Sequence, residues 1–143
     1  MAFVELIDDS EIFERDRAAF GYVPNFTRLF AHRPAVYEAW LQLKDVISDA
    51  MDLRRYELAT VAAARNLRSS YCTLAHGRNA GLDEVDVAVM DLAEKVADDA
   101  TSVTEADVQR LRELGLSDAE IFDVVVAAAA RCFFSKTLDA LCA

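Results

Sequence analysis

Residues 117–134 read "SDAEIFDVVVAAAARCFF", and the fold class turns on how this stretch is read. Its middle, "VVVA", taken alone passes for a strand, because β-branched residues suit a pleated surface. The start of the stretch argues otherwise. Ser117 followed three residues later by Glu120 is a capping box, in which each side chain bonds the backbone N–H of the other. A helix over about 118–140 follows from it. "DVVVAAAARCFF" has almost no polar face for three turns, so this helix should be buried all round or lie in a subunit interface. Arg131 breaks the apolar run, which is too short to span a bilayer.

Upstream segments repeat this grammar. In "TSVTEADVQRLRELG" (101–115), Thr104 caps a helix and Gly115 stops it. Asp83 caps the helix that runs through "EVDVAVMDLAEKVAD" (84–98). A helix over about 53–67 carries Leu58, Val61, Ala62 and Arg65, and its small residues suit close packing against neighbours. Ser69 or Ser70 can cap a following helix that Gly81 ends. Nearer the start, a short helix over about 9–20 leads to the turn "GYVPNF", then to a second short helix through "FTRLFAH". Pro34 suits the first position of the next helix, about 34–49. Along it Val36, Trp40, Leu43 and Ile47 recur at helical spacing as one apolar face. No linker or low-complexity tract interrupts the chain. The reading is a single all-α domain over 1–143.

Composition agrees. Of 143 residues only 4 are Gly and 2 are Pro, which favours helices, and a hydrophobic fraction of 54% supplies a sizeable core. The formal net charge of -10 repels phosphate backbones and anionic lipid surfaces, which argues against nucleic-acid and membrane roles. The acids are spread along the chain, as on solvated helix faces. Three cysteines make an odd count, unlike a secreted disulfide scaffold. "MAFVELIDDSEIFERDR" is acidic and lacks the apolar run of a signal peptide. The expectation is a soluble, cytoplasmic protein with reduced thiols.

The chemistry centres on "NLRSSYCTLAHGRNAG" (66–81). Cys72 falls in the first turn of its helix, where the dipole and free N–H groups stabilise a thiolate. His76 lies at i+4 on the same face, so the pair has the form of a nucleophile beside a base. Glu57 lies in the preceding helix among apolar and small residues. A glutamate there needs a partner if it is buried. It can orient the imidazole or relay a proton, or pair with Arg54 or Arg65. Cys72 and His76 also have helical metal-ligand spacing, with Glu57 as a third ligand, but one Cys and one His are few for a metal. Cys132 reads as core packing and Cys142 as a tail residue.

These residues resemble the AhpD-like, or carboxymuconolactone decarboxylase, family. Its pattern is a Glu, a C-x-x-C beginning twelve residues on, and a His four residues after the second Cys. Here Glu57 is followed by "SSYC" at 69–72 and by His76. "GYVPNFTRLFAHRPAVYEAW" (21–40) is similar to the family's N-terminal segment. Residues 91–141 are similar to the C-terminal half of its peroxidase-related branch. The resemblance implies an AhpD-like helical bundle that assembles into dimers, trimers or hexamers. It also implies a hydroperoxide substrate, an external thiol or dithiol reductant, and no metal or other cofactor. By this likeness Cys72 is the attacking thiol and Glu57 and His76 form the proton relay. Ser69 stands where the family has its first cysteine. A serine forms no disulfide, but it can cap the helix and hydrogen-bond a thiolate. Resolution of an oxidised Cys72 would then fall to an external thiol, to Cys132 or to Cys142.

Two other readings use the same fold. A lyase of the decarboxylase type would need a cationic anchor for a carboxylate substrate, for which Arg65, Arg68 and Arg78 are candidates. A redox sensor or ligand-binding module would use Cys72 without turnover.

Overall fold

The computed structural model describes residues 2–66 and 81–141, with the backbone alone at 65 and 66. Among the described residues there are seven α-helices and no strand. They are α1 (Phe13–Phe20), α2 (Asn25–Phe30), α3 (Pro34–Ala50), α4 (Leu53–Asn66), α5 (Glu84–Asp99), α6 (Glu105–Glu113) and α7 (Asp118–Leu141). A 3₁₀ turn, Ala100–Ser102, extends α5. No helix among the described residues is long and apolar enough to cross a membrane. The chain divides into two compact units, one of Met1–Asp45 with Lys136–Ala143, the other of Val46–Ser135.

In the second unit α4 packs along α5. Ala59, Ala62 and Ala63 of α4 are fully buried, as are Val89 and Ala93 of α5. Alanine faces let two backbones approach closely, which explains the small residues of α4. The core continues through Leu111 of α6, Leu116, and Ile121, Val124, Ala127 and Ala128 of α7. Truncating a side chain such as Leu111 here costs about 2–5 kcal/mol, from lost transfer energy and the cavity left behind.

The helix ends are where local chemistry shows best. Asp83 accepts from the Asp86 N–H at 2.8 Å, and Asp86 accepts from the Asp83 N–H at 3.2 Å. Ser117 and Glu120 form the same reciprocal pair at 2.8 and 3.2 Å. At Thr104 the Asp107 carboxylate accepts both the backbone N–H and the hydroxyl, at 2.8 and 2.9 Å. Helix α6 closes on Gly115, whose φ of 98° is costly for any residue with a Cβ. There the Gly115 N–H reaches the Arg112 carbonyl and the Leu116 N–H reaches Leu111, both at 3.0 Å. This is a Schellman closure, and its accompanying hydrophobic contact pairs the buried Leu111 and Leu116.

The first unit packs Ile12, Phe13, Leu29, Phe30, Tyr37 and Trp40. The rings of Phe30 and Tyr37 stack with centroids 5.4 Å apart. Helix α1 begins at Phe13 rather than near residue 9. The preceding chain is drawn elsewhere: the Ile7 N–H bonds the Arg28 carbonyl at 3.3 Å, and Arg28 Nε returns to the Ile7 carbonyl at 3.0 Å. The Asp8 carboxylate also meets Arg28. Further back, the Phe3 N–H bonds the Leu141 carbonyl at 2.7 Å.

One sequence expectation is corrected here and another is narrowed. In α3 the buried line is Tyr37, Trp40 and Ile47, while Val36 and Leu43 remain 44% and 47% exposed. Tyr37 wins the interior because its hydroxyl finds a buried carboxylate, which turns the face by about 100° from Val36. Helix α7, expected to be buried all round or to lie in a subunit interface, is not buried all round within the chain. Ile121, Val124, Ala127, Ala128 and Cys132 face the core, and Phe122, Ala129 and Phe133 are exposed on the opposite side.

Candidate functional site

Ser69, Cys72 and His76 lie outside the described residues, as do Arg68, Arg78 and Cys142. Glu57 is the member of the expected constellation that the structure places. It sits in α4 about 200° around the axis from Ala59, so it is exposed on the face turned away from the alanine core. Leu53 and Val61, one turn to either side, share that exposed face. The hydroxyl of the neighbouring Thr60 turns back onto the carbonyls of Tyr56 and Glu57, at 2.9 and 3.1 Å.

Arg54, expected as one possible partner of Glu57, is engaged elsewhere. Its Nη2 donates to Asp86 Oδ2 at 2.7 Å and its Nε to the same oxygen at 3.1 Å. Nη2 also donates to the Gly81 carbonyl at 3.1 Å. The guanidinium bond holds the Asp86 carboxyl below its ordinary range against the opposing effect of burial, and the Asp83 N–H adds to the lowering. Arg54 therefore ties the residues where the described chain resumes, Gly81 to Asp86, to the first turn of α4. The motif stretch is flanked on one side by the last residues of α4 and on the other by this clamp.

Cys132 is buried on the core side of α7, as the packing reading expects. Among the described residues no cluster of three His, Cys, Asp or Glu side chains is placed to hold a metal ion.

The sequence reading missed a buried polar network in the first unit. Asp16 is 4% exposed. Its Oδ2 accepts from Thr27 Oγ1 at 2.5 Å and from the Tyr37 hydroxyl at 2.7 Å. Arg15 Nε approaches Oδ1 at 3.5 Å. Arg15 Nη1 donates to both Glu38 oxygens at 3.0 Å, and the guanidinium carbon lies 5.4 Å from the Tyr37 ring centroid. Burial, and then the bond to Asp16, push the Tyr37 hydroxyl up to about 12. Both Thr27 and Tyr37 are shut from solvent, so this network fixes α1, α2 and α3 together rather than meeting a substrate. One signal was available: Asp16 follows Ile12 and Phe13 at helical spacing and so falls on their buried side.

No protein-family model matches the chain, and no curated protein matches it. Solved structures do. One is described as alkylhydroperoxidase AhpD core, an uncharacterized peroxidase-related protein from Ralstonia eutropha JMP134. It is 21% identical with a TM-score of 0.68, over 92% of this chain and 81% of that one. Another is an uncharacterized peroxidase-related protein from Silicibacter sp. TM1040, 22% identical with a TM-score of 0.75, over 98% of this chain and 89% of that one. At these identities the likeness is one of fold. The chain has the all-helical fold of AhpD-like, peroxidase-related proteins, as the resemblance in its sequence implied.

Proposed function

We propose that this protein is a thiol-dependent hydroperoxidase with one attacking cysteine, Cys72, working without a local resolving thiol. The observation that carries the reading is the spacing of Glu57, "SSYC" and His76 on a chain with an AhpD-type fold. The exposed position of Glu57 supports it, since a proton relay must exchange with solvent or substrate.

In this reading the Cys72 thiolate attacks the terminal oxygen of a hydroperoxide. The S–O bond forms as the O–O bond breaks. Sulfur is oxidised to a sulfenic acid, and the peroxide is reduced to an alkoxide that leaves as the alcohol. His76 takes the thiol proton before attack and, with Glu57, returns a proton to the leaving oxygen. Ser69 caps the helix and hydrogen-bonds the thiolate. An external thiol then condenses with the sulfenic acid, expelling water and leaving a mixed disulfide. A second reductant thiol breaks that disulfide and frees Cys72. The burial of Cys132 supports an external resolver over an internal one. The same reading places the protein in the reducing cytoplasm as a homo-oligomer, which the exposed Phe122 and Phe133 support.

Intact-mass spectrometry after stoichiometric hydroperoxide and a sulfenic-acid trap tests this, on the wild type and on Cys72→Ser. The expected result is one trapped adduct that needs Cys72, with helix content unchanged by the substitution. No adduct under conditions that oxidise a free thiol peptide would overturn the reading, as would an adduct that survives Cys72→Ser.

A further inference from the structure

We propose that the outer face of α3 is the seam of an antiparallel pair formed with α3 of a second copy of this chain. The inference deepens the homo-oligomer reading above and rests on it, but it uses a different helix and nothing of the thiol chemistry.

The first observation is the pattern on the helix. Val36, Ala39, Leu43, Val46 and Ala50 are all exposed, Val46 by 68%. Their spacing alternates between three and four residues, as at the a and d positions of a heptad. The chain's own core uses the neighbouring line of Tyr37, Trp40 and Ile47. The stripe is therefore a second apolar line on the same helix, and leaving it in water is unfavourable. This alternation suits another helix lying alongside, whose side chains enter the holes between these.

The second is how the stripe matches itself. In a twofold pair every contact occurs twice, i on j and j on i. Run antiparallel, with a beside d, Val36 faces Val46 of the second copy and Ala39 faces Leu43. The smallest residue meets the largest, so the layers fill similar volumes. Run parallel, Ala39 would face Ala39 and leave a gap between larger layers, which close packing disfavours.

The third is charge. Helix α3 has no acidic residue in its first turn and no basic residue in its last. Its own dipole favours the reverse. Lys44, the one base in the helix, pairs with Asp45 at 2.9 Å, and the exposed Asp49 stands in the last turn. In the antiparallel pair Asp49 falls beside Ala35 in the first turn of the second copy, at the end that lacks an acid. Gln42 is exposed on the same edge and falls beside its own twin across the twofold axis. An amide both donates and accepts, so it is complementary to itself.

Light scattering coupled to gel filtration tests the seam, on the full chain carrying Leu43→Ser with Val46→Ser. Both side chains are exposed, so helix content should be unchanged. A twofold seam joins copies two by two, so its loss should halve the assembled mass. Asp49→Lys should weaken assembly on dilution about fivefold, since each pair has two such ends. Crosslinking reads the orientation, on a background of Cys72→Ser and Cys142→Ser in which the remaining Cys132 is buried. A dimaleimide of about 10 Å, the spacing of packed helix axes, should join copies of Gln42→Cys. It should not join copies of Ala35→Cys, whose two positions lie about 20 Å apart along the seam. Unchanged mass in the serine double variant, with an assembled wild type, would overturn the seam, leave the homo-oligomer reading standing and give the stripe to a different partner. A monomeric wild type would end both. Crosslinking of Ala35→Cys in place of Gln42→Cys would overturn the antiparallel pairing. The crosslinks remove nothing from the stripe, so they decide the matter even if the serine variant does not fold.

Discussion

Asp16 shows how one side chain can organise three helices. Its Oδ2 is shared by the Thr27 and Tyr37 hydroxyls, and all three groups are buried. Asp16→Ala removes the acceptor and leaves both donors stranded, so it should cost about 3 kcal/mol in chemical denaturation. Tyr37→Phe removes one donor and should cost about 1 kcal/mol. The double variant should cost much less than the sum, because the pair acts as a unit. Additive costs would mean that the hydroxyl and the carboxylate are not coupled. The same pair makes a pH prediction. Tyr37 is pushed up to about 12, first by burial and then by Asp16. A folded value above the ordinary 10 favours the neutral form, so this contribution is fully present below pH 10. It is lost as pH rises through about 12. Absorbance of tyrosinate against pH should show one tyrosine lagging the others, and Tyr37→Phe should remove the laggard.

At the scale of elements, the sequence was most legible where structure is decided within four residues. The cap at Asp83, the box at Ser117 and the stop at Gly115 depend only on neighbours, and each is found where the spacing predicts. The start of α1 and the face of α3 were misread because distant partners decide them. Arg28 takes the chain before α1, and Asp16 takes Tyr37. Arg54 is a similar case: Glu57 lies one turn away, yet the guanidinium pairs with Asp86, which its own capping box holds in place. Asp107 offers a test of a cap. Lys95 Nζ lies 2.7 Å away, and Lys95 and then the Thr104 N–H and hydroxyl hold Asp107 down to about 2. A folded value below the ordinary 3.8 means that its stabilisation is present above pH 3.8 and lost as pH falls toward 2. Asp107→Asn should cost about 1 kcal/mol at neutral pH and flatten the melting temperature between pH 4 and 2. An acid limb identical to that of the wild type would refute this role.

At the scale of the molecule, the all-helical class was legible because helical periodicity and caps agreed along the whole chain. The candidate site was legible only as spacing: Glu57, Cys72 and His76 could be named from the sequence, but the turn of α4 that exposes Glu57 depends on the alanine face opposite. Arg131 was legible as an interruption of an apolar run. The far side of α7 bears on assembly. Phe122 is 65% exposed and Phe133 45%, in a helix with hardly any polar residues through its middle. Solvating such a stripe is unfavourable by about 25 cal/mol for each Å² of apolar surface left in water. A chain of net charge -10 needs an apolar contact of this kind to offset repulsion between copies. The homo-oligomer proposed above therefore makes a direct prediction. Light scattering coupled to gel filtration should give the wild type a mass that is a multiple of the chain, and Phe122→Ser with Phe133→Ser should shift it toward the single chain with helix content unchanged. A monomeric wild type would end the oligomer proposal. An assembled double variant would move the interface off this stripe, since the two phenylalanines are its largest exposed side chains.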